Sequence, residues 1–265
     1  MVRIGPITLF SFGMMVAVAF LVGTWMMVRQ ARRYGIPGGA ILDGIFWILL
    51  ASVAGARLLY VGLHWNAFHS QIQEIGAVWK GGMSFHGGLI AGVAAGWRFA
   101  RVRRLPLASL LDAAAPALAL GYAIGRVGCL LNGCCYGSPT DLPWGMRFPL
   151  ETGGWTEPSH PAQIYASLAN LALFSLLLAL APRLRVSGQL AVAYLMGYSV
   201  YRFLVEFIRK GATAHVLALE LTEAQWASLT AILLAAGLWL ILRGRAPQPT
   251  TITPPAAPLR SGSVR

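Results

Sequence analysis

The side chains of this sequence best suited to chemistry are ionisable groups set inside or beside apolar runs. Arg126 lies in GRVGCLLNGCCYG, residues 125–137, which closes the apolar run Leu107 to Leu131 and holds all three cysteines, Cys129, Cys134 and Cys135. His86 lies in GGMSFHGG, residues 81–88, where another run begins, and Arg57 falls within the run Ala40 to Leu63. Tyr198, Arg202 and Glu206 are spaced by four, so they form one stripe along a helix. Ionisable groups near a bilayer are costly and mark function by default. The guanidinium fork suits phosphate, because its planar donors make paired hydrogen bonds to anionic oxygens. Histidine is the side chain suited to base chemistry near neutral pH. Together these residues describe an anion site near a membrane surface.

Each has a plainer role open to it. Arg126 can snorkel to lipid headgroups. Arg202 and Glu206 can neutralise each other as an i,i+4 pair. His86 can be a hydrogen-bonded helix start, with Gly87 and Gly88 serving close helix packing. Tyr198 can be an interfacial anchor. The polar, glycine-broken continuation through Asn132 and Gly133 cannot stay lipid-facing helix, so it lines a cavity or the water interface. The cysteines include no CxxC pair and fit no common zinc spacing, so no metal is expected. They read either as reactive thiols of a redox or thiol-carrier protein, or as small apolar packing residues.

The elements that must hold these groups are membrane helices. Of 265 residues, 57% are hydrophobic and only 11% charged, with a mean hydropathy of +0.62, which excludes an ordinary soluble domain. The net charge of +12 lies in short clusters between apolar runs, without interleaved aromatics, so it reports topology and no nucleic acid is expected. The runs are Ile7 to Val28, Ala40 to Leu63, Gly81 to Phe99, Leu107 to Leu131, Pro161 to Ala181, Leu190 to Ile208 and Ala224 to Leu242. Clusters at Arg29/Arg32/Arg33, Arg101/Arg103/Arg104, Arg183/Arg185 and Arg243/Arg245 occupy alternate connections. That pattern predicts an all-α fold of seven transmembrane helices, with the N-terminus outside and the C-terminus cytoplasmic. One membrane domain, 1–245, carries outer loops at 64–80 and 132–160. The Pro/Thr-rich tail, 246–265, is expected to be disordered.

Four blocks carry a resemblance. GGMSFHGG at 81–88, GRVGCLLNGCCYG at 125–137, HPAQIY at 160–165 and GYSVYRFLVEFIR at 197–209 resemble the prolipoprotein diacylglyceryl transferase family, in order and spacing. The resemblance implies a bacterial inner-membrane enzyme acting toward the outer leaflet without a cofactor. It would move diacylglycerol from phosphatidylglycerol to the lipobox cysteine of a prolipoprotein. By the same resemblance, His86, Arg126 and Arg202 are catalytic, while Gly87, Gly88, Asn132, Gly137, Tyr198 and Glu206 bind substrate; Arg57, costly within its apolar run, is expected to join them. Cys129, Leu130 and Cys134 depart from the family signature, which has asparagine, phenylalanine and glutamate there. Phe12 stands where a tyrosine is expected, and Ala166 replaces a glutamate.

Overall fold

The structure is a computed structural model that describes residues 2–4, 7–9, 11–69, 72–150, 152–209 and 220–245. The expected disordered tail, 246–265, lies outside the described residues. Two short strands, β1 (Val2–Ile4) and β2 (Ile7–Leu9), pair antiparallel with Val2 opposite Leu9. The helices are α1 (Ser11–Ala31), α2 (Gly38–Leu63), α3 (Trp65–Phe68), α4 (Phe85–Val102), α5 (Leu107–Leu131), α6 (Ala162–Leu180), α7 (Gln189–Glu206) and α8 (Glu223–Arg243). The bundle is all-helical as expected; the short hairpin precedes it, so the first helix starts at Ser11 rather than Ile7. The hairpin's β-branched Val2, Ile4, Ile7 and Thr8 favour extended backbone.

This is a multi-pass membrane protein. Five described segments are long and apolar enough to cross a bilayer: Ser11–Tyr34, Gly38–Leu63, Leu107–Leu131, Ala162–Leu180 and Glu223–Arg243. The other two runs of the sequence also fold as helices of 18 residues each. They are less apolar because α4 carries Arg98 and Arg101, and α7 carries Gln189, Arg202 and Glu206. Large apolar side chains such as Leu21, Phe46 and Leu233 face outward, as lipid contact requires. The segment expected to lie outside between α2 and α4 folds as α3 and two 3₁₀ turns, Ile72–Gly76 and Val78–Lys80.

Small residues set the helix contacts. A Cβ on Gly87 of α4 would sit 2.3 Å from the Gly55 carbonyl oxygen of α2, and one on Gly55 would sit 2.6 Å from that of Gly87. The two backbones therefore touch, a mode of packing open only to glycine here. Replacing Gly87 with alanine is expected to force these helices apart and destabilise the protein by about 1–3 kcal/mol. Thermal unfolding in detergent, read as a lowered midpoint, checks this. On the other side, α1 packs against α5, where the Gly128 Cα faces the Met15 and Phe12 side chains. Ala115 and Ala119 of α5, Leu173 and Leu177 of α6 and Leu190 of α7 form a buried cluster.

Asp112 sets the position of α7. Its buried carboxylate accepts hydrogen bonds from the backbone N–H groups of Gly188 (2.7 Å) and Ala191 (2.8 Å), the open N-terminus of α7. A carboxylate there meets both the unpaired donors and the positive end of the helix. Hydrogen bonds to a charged group are worth about 1.5–3 kcal/mol each. The Asp112→Ala change is therefore expected to lower thermal stability strongly, with Asp112→Asn intermediate, in the same unfolding measurement.

At the far end of three helices a tryptophan lies one turn before an arginine. Arg29 sits over Trp25 (5.6 Å), Arg101 over Trp97 (5.3 Å) and Arg243 over Trp239 (5.8 Å). Such pairs suit a membrane interface, where an indole ring and a long cationic side chain both find partners.

Candidate active site

Antiparallel α4 and α5 are joined by the short turn 103–106. At 1.5 Å per residue, His86 at the head of α4 and Arg126 near the end of α5 each lie roughly 25–30 Å from that turn, at the same end of the pair. Between α2, α4 and α5 runs an apolar cleft of about 530 Å³, lined among others by Ile48, Gly92, Val93, Trp97, Leu111 and Leu118. Leu89, Val93 and Trp97 follow His86 at three, seven and eleven residues, so His86 tops the stripe that lines one wall. Arg126 comes two turns beyond Leu118 on the other wall, rotated about 80° around the helix toward α7. Gly88 lines the cleft, while Gly87 is occupied by the contact with Gly55.

His86 is exposed, has an edge-on ring contact with Phe85 at 5.7 Å, and makes no hydrogen bond among the described residues. No hydrogen bond, ion pair or ring contact joins it to Arg126 or Arg202. The structure thus carries the imidazole on α4 and the two arginines on α5 and α7.

Arg126 lies with its guanidinium 4.7 Å from the centre of the Tyr122 ring and donates a hydrogen bond to the Tyr122 hydroxyl. Tyr122 packs edge-on against Tyr198 (5.5 Å) and Tyr201 (6.3 Å) of α7, and Tyr198 stacks on Tyr194. One turn beyond Tyr198, Arg202 donates to the Glu206 carboxylate. That carboxylate is buried and also accepts from the Thr222 hydroxyl at 3.3 Å. Thr222 in turn caps α8 through a capping box with Gln225. The i,i+4 pairing open to Arg202 and Glu206 is therefore formed. It fixes Arg202 without using all its donors, since the guanidinium carries five N–H groups. Tyr122 and Tyr201 were not singled out by sequence reasoning, although Tyr122 stands four residues before Arg126, the spacing that puts two side chains on one helical face.

Arg57 is buried and its donors go to backbone. It gives hydrogen bonds to the carbonyls of Glu74 (2.5 Å), Ile75 (2.8 Å), Gly81 (2.7 Å) and Gly82 (3.0 Å). It thereby ties residues 74–82 to α2 and sets the entry into the His86 helix. Gly82 adopts a left-handed φ of 70°, and a Cβ there would meet the Tyr60 ring at 2.5 Å.

The loop that follows α5 joins three motif blocks. The Gly137 N–H donates to the His160 carbonyl (2.8 Å), His160 N–H to Ser138 (3.0 Å), and Ser138 N–H to Ile208 (2.7 Å) at the end of α7. A Cβ on Gly137 would lie 2.6 Å from that Ile208 oxygen, so this close approach needs glycine. Asn132 caps α5 through its backbone, and its side chain is exposed. The Gln163 amide, at the head of α6, donates to the Cys134 carbonyl at 2.6 Å.

The cysteines come together although their spacing did not show it. The three sulfur atoms lie within 4.8 Å of one another, and none is in a disulfide. Hydrogen bonding from the Cys129 thiol pulls the Cys135 thiol well below its usual range. Burial opposes this, while Cys134 and the charges of Arg126 and Arg209 add to it.

A sequence model of the family described as prolipoprotein diacylglyceryl transferase matches residues 1–241. The chain belongs to this family. Among its relatives, a protein of Synechococcus elongatus is 38% identical over 88% of this chain and 83% of its own length. One of Thermosynechococcus vestitus is 36% identical over 91% and 90%, and one of Bordetella parapertussis 38% identical over 90% and 92%. All three are named phosphatidylglycerol–prolipoprotein diacylglyceryl transferase. Membership makes the chain a transferase of lipoprotein biosynthesis and favours that reading over a thiol redox protein.

Proposed function

We propose that the chain transfers the diacylglyceryl group of phosphatidylglycerol to the lipobox cysteine of a prolipoprotein, with the cleft between α4 and α5 as the lipid site. What supports this is an apolar cleft whose α4 wall, Leu89, Val93 and Trp97, continues at helical spacing to His86, and whose α5 wall ends at Leu118, two turns before Arg126. Acyl chains suit the lower, wholly apolar part, and a phosphate suits the end where Arg126 stands. The thiol gives its proton to His86, and the sulfur attacks the glycerol carbon that carries the phosphate ester. A carbon–sulfur bond forms, the carbon–oxygen bond breaks, and glycerol phosphate leaves with the electron pair. Charge grows on that leaving phosphate, so Arg126 and Arg202 act most strongly in the transition state. Tyr198 and Glu206 hold the two arginines, Arg57 and Gly87 hold the His86 helix, and Gly88, Asn132 and Gly137 border the site.

The topology that fits is seven crossings in one domain, 1–245, in a bacterial inner membrane, with the N-terminus and the site outside. Supporting it, the tryptophan–arginine pairs of α1, α4 and α8 all fall at the ends given to the cytoplasm. The Asp43–Arg103 pair (3.0 Å) likewise brings the start of α2 and the end of α4 to one side.

Purified protein in phosphatidylglycerol vesicles, given a synthetic lipobox peptide, is expected to add one diacylglyceryl unit to the peptide cysteine, read by mass spectrometry. Folded protein that binds the lipid but never yields that mass refutes the reading.

A further inference from the structure

We propose that Cys129, Cys134 and Cys135 form a three-thiolate site for a thiophilic divalent cation of the zinc type. Three convergent sulfurs are more than a disulfide uses. A bridge would take two and leave the third, and adjacent Cys134 and Cys135 close only a strained ring. A metal takes all three. With metal–sulfur bonds near 2.3 Å, three thiolates around one ion stand about 3.8–4.0 Å apart. Cys134 and Cys135 are already 3.6 Å apart, and the widest separation in the cluster is 4.8 Å at most. Closing the site therefore needs side-chain shifts of less than about 1 Å.

The surroundings hold this arrangement. Cys135 adopts a left-handed φ of 65°, uncommon for a residue with a Cβ, and the preceding turn carries Gly133 at φ 69°. Cys129 belongs to the last turn of α5, and Gln163 fixes the Cys134 carbonyl from α6. All three residues are only partly buried, so an ion has a way in.

Charge fits as well. Three thiols binding a divalent ion release three protons, and the complex of three thiolates with one ion carries a net charge of −1. Arg126 and Arg209 both act electrostatically on Cys135 and would offset that charge. Thiolate ligands select soft and borderline metals over magnesium or calcium, which sets the chemical class. Three protein ligands leave a fourth position for water, as in open zinc sites.

The test uses the full chain in detergent or nanodiscs, reduced, freed of metal, and titrated with cadmium as the probe. The expected result is one cadmium per chain with thiolate-to-cadmium absorption in the ultraviolet. All three cysteines should then be shielded from iodoacetamide, mapped by mass spectrometry on the unmutated protein. Replacing Cys134 with serine should weaken binding by more than the roughly 10- to 100-fold that loss of a supporting contact costs. Three free thiols that bind no cadmium overturn the site. So does binding that Cys134→Ser leaves unchanged, or purified protein whose thiols pair as a disulfide and, once reduced, leave cadmium unbound. None of these readouts depends on transferase activity, so the site stands or falls apart from the proposed reaction.

Discussion

The His86→Ala protein is expected to form diacylglyceryl peptide about 10²- to 10⁴-fold more slowly than wild type in single-turnover assays, the usual worth of a general base. Its thermal stability should be nearly unchanged, because His86 is exposed and holds no hydrogen bond among the described residues. This separation matters, since the residues that hold the His86 helix do so by burial. Arg57 binds four carbonyls and Gly87 touches Gly55, so changes there lower stability and activity together. Lipid binding by His86→Ala should persist, because the apolar cleft is intact. A loss smaller than about tenfold, or 1.4 kcal/mol of barrier, removes the base role from His86.

The second large effect is expected at Arg126. Removing one charge-stabilising donor from such a site typically slows a reaction about 10²- to 10³-fold. Arg126→Ala should show that loss in the chemical step more than in lipid affinity, because charge on the phosphate rises as the ester bond breaks. Arg126→Lys keeps the charge but gives up the planar fork and the face-on contact with Tyr122, so it should recover only part of the rate. Equal single-turnover rates for Arg126→Ala and wild type at saturating phosphatidylglycerol remove Arg126 from the transition state.

The helices were legible because their apolar runs are long and end at clear signals. The run Leu107 to Leu131 matches α5 at both ends, bounded by Pro106 before it and Asn132 after it. The hairpin was missed because Ile7–Leu9 is as apolar as the helix it precedes, and apolarity alone does not separate a short strand from a helix turn. His86 and Arg126 stood out because charge in an apolar run is costly wherever it falls. That they lie at the same end of α4 and α5 follows from the order of the apolar runs and the short α4–α5 turn, both open to sequence reasoning. The partners were not legible. Arg57 satisfies carbonyls 17 to 25 residues away, and Asp112 satisfies N–H groups 76 and 79 residues away. Backbone groups carry no residue identity, so nothing in the spelling of the chain announces them. The convergence of the cysteines had the same obstacle: it depends on a left-handed residue that is not glycine.

The carboxylate of Asp112 also imposes an order on biosynthesis. Its partners lie at the head of α7, the first of them, Gly188, 76 positions later. At about 5–20 residues per second, the ribosome needs roughly 4–15 s to supply them. During that interval α5 carries a carboxylate with no helix end to receive it, so the segment favours the insertion machinery or a membrane surface over free lipid. Emergence of α7 releases it. The helix that brings Tyr198 and Arg202 to Arg126 is thus also the one that lets the centre of the bundle settle into the membrane.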